Sequence, residues 1–181
     1  RPLCPIVYYH VWDNFPAPHF NKKFYESNDH IVSISKLTHE IVKEVAPNTP
    51  STYIPHAVNG DIFKPLDKKK IRENGLVEED KDKFIVFWNN RNARRKQSGT
   101  LIFWWKDWLD KRDLHDKAQL ILHTEPSDPH GQDLNYIVEH LELNKRQVLF
   151  STQKVPLEQM SMFYNLADIT VNISDAEGFG L

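Results

Sequence analysis

The sequence predicts an α/β protein built on a parallel, doubly wound sheet, and three observations point there. Four short runs in the second half (residues 84–87, 120–122, 148–150 and 169–173) are almost continuously apolar, as strands buried on both faces are. A helix-like segment separates each run from the next, which is what parallel strands need for their crossovers. The first third repeats this alternation on a smaller scale, with strand-like runs at 6–9, 31–34 and 52–54.

Taken in order, the run at 6–9 is followed by a helix-like stretch at 20–26. After the second strand, Ser35 stands where it can cap a helix whose apolar positions Leu37, Ile41, Val42 and Val45 follow the 3.6-residue period. Pro47 and Pro50 end that helix before the third strand. The composition then changes. Residues 55–65 are rich in turn formers, and a charged stretch at 67–82 carries one short helix. This reads as a crossover between an incomplete domain, 1–63, and a second domain, 64–181. In that second domain, 84–87 reads as a fully buried strand, 98–111 as a helix, and 134–141 as another. Pro156 suits the first turn of a helix reaching Leu166. Trp104, Trp105 and Trp108 share the first of these helices with Leu101, Ile102 and Leu109. Packing on the sheet accounts for most of that cluster, although so many aromatics could leave one exposed.

Composition narrows the function. The 181 residues are 40% hydrophobic and 12% aromatic, enough to build a core. With 23 basic and 25 acidic residues the net charge is −2, so nothing general calls for nucleic acid as a partner, and any anion site must be local. The single cysteine, Cys4, excludes an intrachain disulfide and a cysteine-based zinc cluster, and fits a reducing, cytoplasmic compartment. Beside an apolar run, Cys4 reads as a small buried hydrophobe. No apolar stretch approaches the ~20 residues that span a bilayer. The first run reads as an interior strand and the last residues as a loop opening a helix, so both ends are expected to be cut. Among nine histidines, His123 and His130 share a loop with Glu125, but no helical pairing of ligands supports a metal site.

Two segments carry chemistry. Residues 89–99 hold Arg91, Arg94, Arg95 and Lys96 with no acid, directly between a buried strand and a helix. In a doubly wound sheet ligands gather at the carboxyl ends of strands, and a following helix adds free amides and a positive dipole end. Guanidinium and ammonium groups placed there suit a diphosphate. The second segment follows the last strand: Asp175, Ala176, Glu177, Gly178, Phe179, Gly180. Glycines let backbone amides approach a ligand, and a carboxylate beside them can accept hydrogen bonds from sugar hydroxyls.

These segments resemble a known family. Glu177-Gly178-Phe179-Gly180-Leu181 is similar to the first half of the Glu-x7-Glu motif of family 4 glycosyltransferases of the GT-B fold. The basic loop resembles their Gly-Arg-Leu-x-x-x-Lys-Gly segment, with Arg91 and Lys96 at matching spacing, although Asn90 and Gln97 replace its glycines. Residues 55–65 resemble the family's hinge with one residue inserted, and 32–36 resemble the strand and serine near the end of the acceptor-side domain. The resemblance implies two Rossmann-like domains: a remnant of the N-terminal, acceptor-side one and most of the C-terminal, donor-binding one.

It also implies a retaining transfer from a nucleoside diphosphate sugar without metal or other cofactor, to a glycan, lipid or small-molecule acceptor, with peripheral membrane association left open. Arg91, Lys96 and Glu177 would be the catalytic set. Gly178, Phe179 and Gly180 would approach the sugar or phosphate, while Ser151 and Thr152 lie where the family recognises the base. Independently of the resemblance, His10 stands after the first strand, where it would face the cleft between domains and touch donor or acceptor, although a structural or surface role outweighs this. The family's second Glu would lie beyond Leu181, so the chain alone is expected to be inactive. Two alternatives stand beside this: a non-catalytic nucleotide-binding or assembly module on the same scaffold, and a GT-B-fold sugar-nucleotide epimerase.

Overall fold

The computed structural model describes residues 3–12 and 14–177. The chain divides into two compact units, one running to Val58 and taking in Ala176 and Glu177, the other Asn59–Asp175.

The first unit has a three-stranded parallel sheet in the order β1-β2-β3: Val7–His10, His30–Ser33 and Ser51–Tyr53. A short helix α1 (Lys22–Glu26) connects β1 to β2, and α2 (Lys36–Val45) connects β2 to β3. Ser35 caps α2 by accepting the Thr38 amide at 3.0 Å. The core is Tyr25, Ile31, Ile41, Val42, Val45 and Ala46, on one face of the sheet. Leu37, expected on that buried face, is exposed; Thr38 takes the buried position instead, with Oγ1 donating to the Trp12 carbonyl. Cys4 corrects another expectation. It is exposed, because β1 begins only at Val7 and the chain before it does not enter the core.

The second unit holds β4 (Phe84–Asn89), β5 (Ala118–His123), β6 (Val148–Ser151) and β7 (Ile169–Thr170) in the order β6-β5-β4-β7, all parallel. The crossovers are α4 (Ser98–Arg112), α5 (Leu134–His140) and α6 (Leu157–Leu166), and α3 (Lys68–Gly75) precedes the sheet. Alternate residues of β4 feed two cores. Val86 and Trp88 pack with Ile102, Trp105, Leu109 and Leu134 of α4 and α5, whereas Ile85 and Phe87 pack with Phe163 and Leu166 of α6. That two-sided burial is why the strand reads as a continuous apolar run.

The burial of β4 is shifted by one residue from expectation: Phe84 is 40% exposed and Trp88 is fully buried. Pro156 sits at the N-cap of α6 rather than in its first turn. The last strand is shorter than its apolar run, since only Ile169 and Thr170 pair with β4. Of the α4 tryptophans, Trp105 is buried and Trp104 is exposed. No helix among the described residues is long and apolar enough to cross a membrane.

Arg72 on α3 pins the base of this unit. Its Nε donates to the Leu166 carbonyl, Nη1 to those of Lys81 and Lys83, and Nη2 to Asp168 at 2.7 Å. Asp168 in turn accepts the Ile85 amide at 2.7 Å, joining α3 to the start of β4.

Candidate functional site

The strand order of the second sheet reverses between β4 and β7. The chain leaves β4 toward β5 on one side and returns through α6 to add β7 on the other. In open α/β sheets ligands usually bind at such a switch point, outside the carboxyl ends of the strands. The two segments that the sequence singles out are the loops after β4 and β7.

They are bonded to each other. The basic loop leaves β4 at Asn89, forms a 3-10 turn over Arg94–Lys96, and reaches α4 through Gln97. Gln97 has φ 57° and ψ 30°, a left-handed conformation that glycine adopts without strain and that glutamine rarely does. Its side chain explains its presence: Nε2 donates to both carboxylate oxygens of Asp175, at 3.0 and 2.8 Å. The Asp175 amide donates back to the Arg95 carbonyl at 2.8 Å. Lys96, only 7% exposed, is held in this turn. A cation so placed acts on a nearby anion through less water than an exposed one does.

Arg91 lies at the other end of the loop and is itself engaged. Its Nε and Nη2 donate to the Asp128 carboxylate at 2.7 and 3.2 Å, and Nη2 also meets His130 Nδ1 at 3.0 Å. The hydrogen bond from Arg91, then the His130 backbone amide, hold the Asp128 carboxyl well below its usual range. Asp128 in turn raises the Arg91 pKa.

Asn92 fastens the 124–132 loop to the basic loop. It is 1% exposed, donates to the carbonyls of Pro126 and Gln132 at 3.1 and 2.7 Å, and accepts from Ser98 Oγ at 2.8 Å. A Cβ on Gly131 would meet the Asn92 carbonyl oxygen at 2.1 Å, so the approach of the two loops requires glycine there. The same arrangement alters the expected anion site at α4. The Gly99 amide is not free; it donates to Gln132 Oε1 at 2.9 Å.

The remaining candidates lie apart. Ser151 ends β6, and its Oγ is 2.9 Å from His123 Nδ1 at the end of β5, its partner in register. Burial lowers the His123 pKa. Thr152 is exposed just beyond. His10 is 2% exposed within the first unit, where its Nε2 lies 2.7 Å from the Tyr25 hydroxyl, and burial lowers its pKa. Glu177 groups with that unit as well. Gly178, Phe179 and Gly180 lie outside the described residues. Among the described residues no cluster of His, Cys, Asp and Glu could hold a metal ion. His123 and His130 point instead to Ser151 and to Arg91, and Glu125 accepts the Ser127 amide.

Sequence reasoning missed Asn92, Asp128 and Gln132. Asn92 carried a signal, as the uncharged residue between cations at a strand's end. Asp128 and Gln132 carried none, because their partners stand 37 and 33 residues away.

No sequence-family model and no curated protein matches the chain. Solved structures do. An α,α-trehalose 6-phosphate synthase from Burkholderia multivorans superposes with a TM-score of 0.70 at 12% identity, covering 96% of this chain and 47% of that one. Anabaena Alr3699/HepE in complex with UDP and glucose gives a TM-score of 0.69 at 14% identity, over 96% and 47% of the two chains. The same Anabaena protein with UDP-glucose gives 0.68 at 15% identity, over 96% and 48%. The chain thus spans about half the length of the structures it matches. Its parallel sheets with flanking helices are the fold of one half of a GT-B glycosyltransferase.

Proposed function

We propose that this chain forms the donor-binding part, with an acceptor-side remnant, of a retaining glycosyltransferase of the family 4 type that uses a nucleoside diphosphate sugar. The observation that carries this reading is the bonding of Gln97 and the Arg95 carbonyl to Asp175. It joins the basic loop to the loop leading toward Glu177 at the switch point of the sheet, where the fold favours a ligand. UDP is the first diphosphate to consider, since the Anabaena neighbour is described with UDP and UDP-glucose.

In such a transfer the bond between the anomeric carbon and the distal phosphate oxygen breaks, and the acceptor hydroxyl that takes the sugar passes its proton to the departing diphosphate. Negative charge grows on the departing diphosphate. Arg91 and Lys96 would stabilise that charge, and such preorganised donors are the largest single contributors in many enzymes. Glu177 would accept from the sugar hydroxyls, with the amides of Gly178, Phe179 and Gly180 near the sugar or phosphate. Ser151 and Thr152 would meet the base, whereas His10, 2% exposed and bonded to Tyr25, keeps a packing role in the first unit. The proposed division is 1–63 for the acceptor side and 64–181 for the donor side.

Calorimetric titration of the chain with UDP, GDP and ADP tests this, beside a double Arg91→Ala, Lys96→Ala variant shown by circular dichroism to be folded. Saturable binding of one diphosphate, weakened at least about tenfold in the variant, is expected from the loss of two charge-assisted contacts. A folded wild-type chain that binds none, or a variant that binds equally well, overturns the reading.

A further inference from the structure

Arg91 presents its guanidinium in a partly occupied state. The edge formed by Nε and Nη2 faces Asp128, at 2.7 and 3.2 Å. Nη2 is also 3.0 Å from His130 Nδ1. A guanidinium has five N–H donors and no acceptor, so this contact is a hydrogen bond only when Nδ1 accepts, with the ring neutral and its proton on Nε2. Both Nη2 hydrogens are then taken. Nη1 alone has no partner among the described residues. A two-point hold on phosphate uses two adjacent guanidinium nitrogens, and here one of the two outer ones is occupied.

Protonation of His130 reverses this. Nδ1 then carries hydrogen and cannot accept from Arg91. An acceptor, Asp128 Oδ1, stands 3.4 Å away. One Nη2 hydrogen is released, while Asp128 keeps the inner edge of Arg91 fixed. Charged groups face His130 from two elements, Arg91 from the loop after β4 and Asp128 from its own loop. The rest of the ring meets solvent, the side chain being 73% exposed. The platform is firm, because Asn92 clamps the loop through the carbonyls of Pro126 and Gln132.

We propose that His130 is a positioning residue that sets how Arg91 holds a diphosphate: through Nη1 when the imidazole is neutral, and through Nη1 and Nη2 together when it is protonated. The inference rests on the donor-site reading of Arg91. It adds that the long 124–132 loop makes diphosphate affinity depend on whether the His130 imidazole is neutral or protonated.

The test is calorimetric titration of the 181-residue chain with UDP-glucose, whose doubly esterified diphosphate does not titrate between about pH 5.5 and about pH 8, the span in which histidine does. The wild type is expected to bind on the order of tenfold tighter at the acid end, the gain from one added charge-assisted hydrogen bond. His130→Ala, at an exposed position that does not threaten the fold, is expected to bind tighter than wild type at the neutral end and to lose the pH dependence. His130→Asn, which keeps an acceptor and does not titrate, is expected to match the neutral wild type at both. A His130→Ala chain weaker than or equal to wild type at about pH 8, or one with unchanged pH dependence, overturns the inference. Saturable binding that Arg91→Ala abolishes, with no difference between wild type and His130→Ala, overturns this inference alone. Wild-type chain without saturable binding at either pH overturns the donor-site reading with it.

Discussion

The two sheets of this protein are built from the same parallel crossovers, yet they differ in how many faces they bury. In the second unit β4 sends Val86 and Trp88 into one core and Ile85 and Phe87 into another. In the first unit one core forms on one face, around Ile31 and Tyr25, while Val7 and Tyr9 of β1 are exposed on the other. Helices cover both faces of the second sheet, which carries the two bonded loops at its carboxyl end. The one-sided sheet is accompanied by local devices such as the Ser35 cap and the buried pairing of Tyr25 with His10.

The sharpest way to break the comparison is to remove a side chain from each kind of face. Phe87 is fully buried and stacks on Phe163 at 5.5 Å. Phe87→Ala is expected to destabilise the second unit by about 3–5 kcal/mol. Val7→Ala, on the open face of β1, is expected to change stability by less than about 0.5 kcal/mol. Amide-exchange protection of β4 and β1 would measure both. Equal effects would mean that the exposed face of the first sheet is packed in solution.

A smaller effect concerns the pin at the base of the second unit. Burial alone would raise the Asp168 pKa, but the Ile85 amide, Arg72 and Lys68 together outweigh it and hold the carboxyl below its ordinary value of 3.8. A depressed folded-state pKa contributes stability that is present above about pH 4 and lost as pH falls through the folded value. Asp168→Asn is therefore expected to lower stability at neutral pH by about 1–3 kcal/mol, and to flatten the acid side of the stability profile. Urea unfolding at several pH values checks it. An unchanged acid slope would place the acid sensitivity elsewhere.

A change in the helix caps sharpens the contrast from the other side. Ser35→Ala removes the cap of α2 and is expected to destabilise the first unit by about 1 kcal/mol. Asp133 caps the shorter α5 in the same way, accepting the Tyr136 amide at 3.1 Å. If Asp133→Ala proves as harmful as Ser35→Ala, two-sided burial gives no protection against loss of a local device. Thermal melts resolve the difference.

Much of the candidate site was legible because its residues are neighbours in sequence. Arg91 and Lys96 stand in one loop after a buried strand, and Asp175 follows the last strand. The bond between the loops was not legible, since Gln97 and Asp175 are 78 residues apart. Gln97 reads as a departure from a glycine, with nothing local to show that its amide would reach a carboxylate while its backbone takes the left-handed conformation. Ser151 and His123 were likewise read from different segments, and only the register of β5 against β6 sets them side by side.

The sequence by itself determined the order of strands and helices, the parallel class of the sheets and the position of the basic loop. Each depends on apolar periodicity, capping and turn residues within a short window. The tertiary structure decided which side of β4 received β7, that Thr38 and not Leu37 of α2 was buried, and which groups Arg91 and the Gly99 amide had already engaged. Those outcomes depend on distant residues competing for the same donors and the same apolar surface, and that competition is settled only when the chain has packed.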